Sequence, residues 1–140
     1  MPGQSVSLPV DFVVLGVPVS HQTQNKRRLR GWRLKVEAQA TATMSGATPT
    51  IDDVEVTIVY YHGSDDPPDV DNIIKPIQDA LCGTVIQDDA QVQDVRSARR
   101  SLDGVFRVNG MSRALANGFV AGRDFIHVRI SAAPAQEDLL

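Results

Sequence analysis

Acidic side chains concentrate in one short segment of the sequence, where their spacing allows them to act together. Asp69 and Asp71 are separated by a single residue, and Asp88 and Asp89 follow after a helix-like stretch. In extended backbone, residues two apart point to the same side, so we expect Asp69 and Asp71 to converge on one point. We expect Asp89 to join them, because the chain returns after the helix-like stretch. Carboxylates this close raise each other's pKa unless a positive charge lies between them.

A divalent cation commonly neutralises the repulsion between carboxylates that lie this close together. Mg²⁺ prefers oxygen ligands and is typically held by one or two carboxylates, waters and a substrate phosphate. Such a site can activate water and stabilise the leaving oxygen of a phosphodiester. Lys75 would lie above Asp71 if a helix begins there, and its ammonium group would then offset charge developing on the phosphoryl group.

A purely structural interpretation of the same residues stays open. Asp71 or Asn72 would serve as a helix N-cap, and Asp88-Asp89 would suit a polar turn. Other metal sites fit poorly: a calcium-binding EF-hand needs glycine where Ile74 stands, and the histidines and the single cysteine show no zinc-ligand spacing. The sequence also contains neither a Walker-type glycine loop nor a Gly-x-Ser-x-Gly elbow.

Charge is segregated along the chain, although the net charge is only -3. Eight of the 17 acids lie between residues 65 and 94, and six of the 14 basic residues lie between 26 and 35. An acidic pocket flanked by basic surface suits an enzyme that acts on a polyanion. A solvated helix face beside an acidic loop would give the same pattern without any such function.

Two groups of basic residues are candidate phosphate contacts. Arg96 and Arg100 would share one face of a strand, while Arg99 would point to the other. The larger group lies on a predicted helix and consists of Lys26, Arg27, Arg28, Arg30 and Arg33.

The periodicity of apolar residues predicts the helices that position these side chains. Spacings of three and four over about 26–44 indicate a helix with one buried stripe and a basic first half. A second apolar face over 72–82 indicates a helix directly after the acidic pair, with Gly83 beyond its end. A third, short helix is predicted over 112–117, ending at Gly118.

Alternating and β-branched stretches predict the strands. They lie over 12–19, 54–60, 91–102 and 124–131. Pro18 places the first strand at or near a sheet edge, and Asp103-Gly104 is typical of a hairpin turn into a further strand over 105–108. Strands and helices without strict alternation predict an α+β fold, with a small mixed sheet packed against two main helices.

Length and composition favour a single domain over 1–140, with flexible ends at 1–10 and 132–140. The one cysteine, Cys82, excludes an intrachain disulfide. No apolar run approaches the ~20 residues of a membrane span. The first residues lack the features of a signal peptide, so we expect a cytoplasmic protein.

The segment from Asp69 to Val92 resembles the signature of the RusA family of Holliday-junction resolvases. It contains Asp-x-Asp-Asn, then Lys-Pro, Asp-Ala-Leu-x-Gly and Asp-Asp-x-Gln-Val, over 24 contiguous residues. The resemblance implies that Asp69, Asp71 and Asp89 are metal-binding catalytic acids, that Lys75 is an essential lysine, and that Asp88 is a companion acid at the metal. It also implies a homodimeric α+β nuclease that nicks two strands of a four-way junction symmetrically, using Mg²⁺ or Mn²⁺.

The sequence therefore predicts an Mg²⁺-dependent crossover-junction endodeoxyribonuclease of recombination and repair, in which Mn²⁺ substitutes for Mg²⁺. Hydrolysis would leave a 5′-phosphate and a 3′-hydroxyl. Two alternatives stay open: a metal-dependent nuclease of other structured nucleic acid, such as a flap, replication fork or RNA, and a non-catalytic junction-binding protein.

Overall fold

The strands form one mixed sheet in the computed structural model, which describes residues 3–105, 107 and 109–137. The strands are β1 (Val10–Leu15), β2 (Val54–His62), β3 (Val92–Ser101) and β4 (Phe125–Ala132). Within the described part of the chain their order in the sheet is β1-β4-β2-β3. β4 pairs antiparallel with both β1 and β2, whereas β2 and β3 are parallel. The predicted α+β class is confirmed.

The first strand lies at an edge of the sheet, as Pro18 predicted, but it ends earlier than expected. Gly16 has a φ of 113°, a conformation that takes the chain out of the strand. Its N–H donates to the carbonyl of Asp124 at 2.7 Å. The other edge of the sheet is β3, which carries Arg96, Arg99 and Arg100.

Helices α1 (Lys26–Met44) and α2 (Ile74–Leu81) cover one face of the sheet. Asn25 caps α1, because its side chain accepts a hydrogen bond from the N–H of Arg28 at 3.0 Å. The predicted buried stripe is confirmed at Trp32, Val36, Ala40 and Met44. Packing on the sheet therefore leaves the basic side chains of α1 in solvent.

Helix α3 (Arg113–Val120) covers the other face beside β1 and β4. Leu115 packs there with Tyr61 and Phe125 in a second apolar cluster. The prediction that this helix ends at Gly118 is wrong, because the helix continues to Val120. Gly118 instead serves packing: a Cβ at this position would lie 2.5 Å from an atom of the Phe125 ring.

The predicted hairpin after β3 needs correction. Leu102 and Asp103 form a turn, but Val105 and Arg107 belong to no strand, and β3 is paired with β2 rather than with a hairpin partner. The other residues of that predicted strand, 106 and 108, lie outside the described part of the chain. Near the N-terminus, the N–H of Val6 donates to the carbonyl of Thr48, and the N–H of Thr48 donates to the carbonyl of Gln4; flexible ends at 1–10 and 132–140 stay a prediction.

None of the helices in the described residues combines the length and apolarity required to cross a bilayer.

Candidate active site

The acidic segment belongs to the long connection between β2 and α2, and the first residue of this connection is anchored to Asp124, which directly precedes β4. The N–H of Gly63 donates to Asp124 Oδ1 at 2.9 Å, and the hydroxyl of Tyr60 donates to Asp124 Oδ2 at 2.6 Å. Burial, together with Asp124 beside it, raises the pKa of Tyr60. The phenol therefore stays protonated and remains a donor at neutral pH.

Asp69 and Asp71 lie on a tight turn rather than on extended backbone. The N–H of Asn72 donates to the carbonyl of Asp69 at 3.1 Å, and the carbonyl of Asn72 accepts from the N–H of His21 at 2.8 Å. The prediction of extended backbone at the acidic pair is therefore wrong. The N-cap prediction is also wrong, because α2 has Ile73 at its N-cap position, without a side-chain cap. Both carboxylates are exposed.

Lys75 makes its ion pair within α2. Its Nζ lies 2.7 Å from Asp79 Oδ1, with 49% and 32% of the two side chains exposed. The prediction that Lys75 lies above Asp71 is not met, because the helix begins after Asp71 and Asp79 is the partner one turn onward. Asp79 raises the pKa of Lys75 by hydrogen bond and charge, and Asp89 adds a smaller contribution in the same direction.

Asp88 and Asp89 begin a short 3-10 helix (Asp89–Gln91) just before β3. Asp88 caps this turn: its side chain accepts from the N–H of Ala90 at 2.8 Å, and Gln91 Oε1 accepts from the N–H of Asp88 at 2.9 Å. The Ala90 hydrogen bond, and then a hydrogen bond with the side chain of Asp89, lower the pKa of Asp88. The polar-turn interpretation is therefore correct for Asp88, whereas Asp89 presents an exposed side chain.

The structure brings part of the predicted set together. Lys75, Asp88 and Asp89 are all near enough to affect the half-buried thiol of Cys82: burial and then the charges of Asp89, Asp79 and Asp88 raise its pKa, whereas the charge of Lys75 lowers it. Asp69 lies instead beside Arg99, with 3.7 Å between Oδ1 and NH1. Sequence spacing alone did not reveal this division.

The oxygen donors of these acids fit a divalent cation, although the described side chains do not form a complete coordination site on their own. Within residues 3–105, 107 and 109–137, no group of three or more His, Cys, Asp or Glu side chains is arranged to hold a metal ion. Mg²⁺ requires fewer protein ligands, since waters and substrate phosphate commonly complete its shell. The exposed carboxylates of Asp69, Asp71 and Asp89 provide hard oxygen atoms of the kind it prefers.

The basic start of α1 borders the acidic connection. A cleft of about 440 Å³ is lined by Arg28 and Thr23 on one side and by Asp66 and Pro68 on the other. The side chains of the basic group are exposed, as expected for phosphate contacts; they are Lys26, Arg27, Arg28, Arg30 and Arg33.

The predicted division of the arginines on β3 is confirmed. Thr57 of β2 pairs with Arg96, and Tyr61 pairs with Arg100, so these two arginines share the face that α3 partly covers. Arg99 points to the opposite face, toward the acidic connection. On its other side Thr57 pairs with Arg129 of β4, which adds an exposed arginine to the same row.

The family model described as Endodeoxyribonuclease RusA matches residues 17–108, well over half of the chain. The chain belongs to the RusA endodeoxyribonuclease family. The RusA match contains the acidic connection, α2 and the acids before β3, together with the basic start of α1. No curated protein matches the sequence significantly.

Several contacts that hold residues 67–70 and 88–91 in place were not predicted from the sequence. Ser97 Oγ and Arg99 NH1 of β3 donate to backbone carbonyls of residues 67–70, and Gln91 Nε2 donates to the carbonyls of Thr50 and Asp52, at 2.8 Å in each case. Arg129 was also missed as a basic surface residue. Alternation along the strands was the available signal, because it places Ser97 with Arg99 and Arg96 with Arg100.

A second polar cluster lies outside the RusA match. Asp11 Oδ2 accepts from Ser112 Oγ at 2.5 Å and lies 2.7 Å from His127 Nε2, beside a cavity of about 320 Å³. Ser112 Oγ also accepts from the N–H of Leu115 and so caps α3. Serine and histidine both meet the carboxylate rather than each other, so the cluster lacks the order of a nucleophilic triad.

Proposed function

We propose that this chain is an Mg²⁺-dependent endodeoxyribonuclease that resolves four-way DNA junctions by paired, symmetric nicks in recombination and repair, with Mn²⁺ able to replace Mg²⁺. The observation that carries the proposal is the RusA match, whose range contains Asp69, Asp71, Lys75 and Asp89 with the spacing of the motif.

In this proposal Asp69, Asp71 and Asp89 hold the cation. Asp88 is a further oxygen donor at the same turn, although its side chain already caps Ala90. A bound Mg²⁺ would supply an activated water and neutralise charge on the phosphodiester. Lys75 contributes from the chain itself: Asp79 and Asp89 favour its protonated form, so it carries a positive charge beside the acids at neutral pH.

The basic side chains would hold the DNA arms by their phosphates. Arg28, at the start of α1, lines the cleft beside the acidic connection, which supports a role for this basic group in holding the strand that is cut. Arg96 and Arg100, with Arg129 in the adjoining row, lie on the opposite face of the sheet and suit a different arm. Two nicks related by two-fold symmetry need two sites so related, which is why we propose a homodimer.

A nicking assay on a synthetic four-way junction tests the proposal. With Mg²⁺, the wild-type chain should nick two opposing strands, whereas Asp71→Asn should cut at least about 100-fold more slowly. Asp71 makes no side-chain hydrogen bond with a described residue, so this nearly isosteric change should leave the melting temperature and the junction affinity unchanged. Asp65→Asn is the matched control, because it removes one charge from an exposed acid of the same connection.

Other outcomes of the assay separate the alternatives. Tight junction binding without cutting by the wild-type chain would identify a non-catalytic junction-binding protein. Faster cutting of a flap, a fork or an RNA hairpin would identify a metal-dependent nuclease of another substrate. A rise in melting temperature on adding Mg²⁺ or Mn²⁺ tests the cation site separately, because a ligand that binds only the folded state stabilises it.

A further inference from the structure

The segment that carries Asp69 and Asp71 is docked along the edge strand β3. Pro67 and Pro68 precede the acids, and proline fixes its φ near −65° while lacking an N–H. The diproline is therefore stiff, and its carbonyl oxygens are its only backbone hydrogen-bonding groups. Arg99 NH1 lies 3.2 Å from each of these two carbonyl oxygens and donates to them.

Ser97 makes the next contact along the same segment. Its Oγ donates to the carbonyl of Val70 at 2.6 Å, between the two acids. Ser97 and Arg99 are two residues apart on β3, so they share the face that meets the segment. Two neighbouring side chains of one strand thus hold the backbone on both sides of Asp69.

These hydrogen bonds all end on backbone oxygens, which leaves the carboxylates of the acids available. The remaining contact is the 3.7 Å pair between Arg99 and Asp69, whose side chains are 41% and 72% exposed. An ion pair this exposed contributes little and yields readily to a stronger ligand. The geometry therefore fixes the position of the backbone without occupying the groups that would bind a cation.

We propose that Ser97 and Arg99 are positioning residues of the nuclease site, which hold the acidic turn so that Asp69 and Asp71 face a common cation. This inference rests on the proposed function. It also assigns Arg99 a role different from that of Arg96 and Arg100, because its guanidinium points toward the acidic connection and is engaged there.

Ser97→Val and Ser97→Thr give the cleanest test, because they have nearly the same shape and only threonine keeps the hydroxyl. Ser97→Val should raise the Mg²⁺ concentration for half-maximal nicking about 3- to 10-fold, the size of one net hydrogen bond. It should also reduce the rise in melting temperature produced by Mn²⁺ without DNA. Ser97→Thr should restore both values.

Arg99→Lys supplies an independent variant that keeps the positive charge near Asp69 but loses the planar fork. It should change the metal response as Ser97→Val does, with junction affinity in EDTA unchanged. Arg96→Ala, on the same strand but the opposite face, should show the reverse: weaker junction binding with an unchanged Mn²⁺ response.

Three results would overturn the inference. One is a Ser97→Val chain that responds to metal as the wild type does. Another is an Arg99→Lys chain whose main defect is metal-free junction affinity, which would make Arg99 a phosphate contact. In both of these cases the wild-type nuclease still cuts, so the proposed function survives. The third is a wild-type chain that neither cuts nor gains stability from Mn²⁺, which would refute the proposed function and the positioning role together. In that case, faster amide exchange of residues 69–72 in Ser97→Val would show that Ser97 is a purely structural contact.

Discussion

Lys75 Nζ lies 2.7 Å from Asp79 Oδ1, one turn further along α2, and not against Asp71. The ammonium group is thus held by an ion pair within α2, on the surface of the helix. Asp89, on the turn before β3, also contributes to the raised pKa of Lys75. A substrate phosphate that recruits this ammonium group must compete with Asp79. The strength of the Lys75–Asp79 pair therefore affects how readily Lys75 can contact a substrate phosphate at the site that we propose.

Asp79→Asn should lower the pKa of Lys75 toward its ordinary value, because the hydrogen bond and the charge of Asp79 are the main causes of the shift. A lysine whose pKa is raised in the folded state contributes stability below the unfolded value, and this is lost as the pH rises through the folded value. At neutral pH the variant should lose no more than about 0.5 kcal/mol, because the pair is exposed. Titration of the lysine side chain by NMR would measure the shift, and an unchanged pKa would contradict the assignment.

Gly118→Ala should destabilise the fold by about 1–3 kcal/mol, the usual cost of overpacking a filled core. The added Cβ would lie 2.5–2.8 Å from three atoms of the buried Phe125 ring. Gly31→Ala is the matched control, because no atom lies within 4 Å of its added Cβ and the residue is helical. It should stabilise the chain by about 0.5–1 kcal/mol, since alanine loses less backbone entropy than glycine. Chemical unfolding would measure the change in the free energy of unfolding, which should be negative for Gly118→Ala and positive for Gly31→Ala.

The elements that periodicity predicted well are those in which burial alone decides the structure. The stripe from Trp32 to Met44 and the alternation in β4 both follow from one apolar side meeting the core. The predicted C-terminal limit of α3 was wrong because glycine at position 118 is required by packing against Phe125 and does not end the helix. A glycine required by packing and a glycine that ends a helix look the same in a sequence.

The family was predictable from the sequence, but the geometry of the candidate site was not. The motif predicted the family, which the RusA match confirms, and the roles of the acids and Lys75 stay predictions. The turn at Asp69–Asn72 was missed because it depends on Ser97, Arg99 and His21, which contact the segment only in the folded chain. The pairing of Lys75 depended on where α2 begins, and such limits are set by the same tertiary contacts.

Asp11 should make the stability of the fold depend on acidic pH. Burial raises its pKa, but hydrogen bonds from His127 and Ser112 outweigh that effect, and the net pKa lies below the ordinary value. A depressed carboxylate contributes stability above its unfolded pKa, and this is lost as the pH falls below about 4 toward the folded value. Asp11→Asn should therefore be less stable than the wild type at pH 7, and the difference should narrow at pH 3. If Asp11→Asn lowered the free energy of unfolding equally at both pH values, this would argue against a contribution from ionised Asp11.

Arg28 should contribute to junction binding through a phosphate contact, because its exposed side chain lines the cleft shared with Asp66 and Pro68. Each lost phosphate contact reduces the slope of log K against log salt concentration by about 0.9. Arg28→Ala should therefore weaken binding most at low salt and lower the slope by about that amount, across junctions of different sequence. Arg123→Ala is the control, since Arg123 is exposed on the turn between α3 and β4 and lies outside the RusA match. Binding curves at several salt concentrations would distinguish the two variants. An unchanged slope in Arg28→Ala would mean that the cleft between α1 and the acidic connection does not carry the DNA.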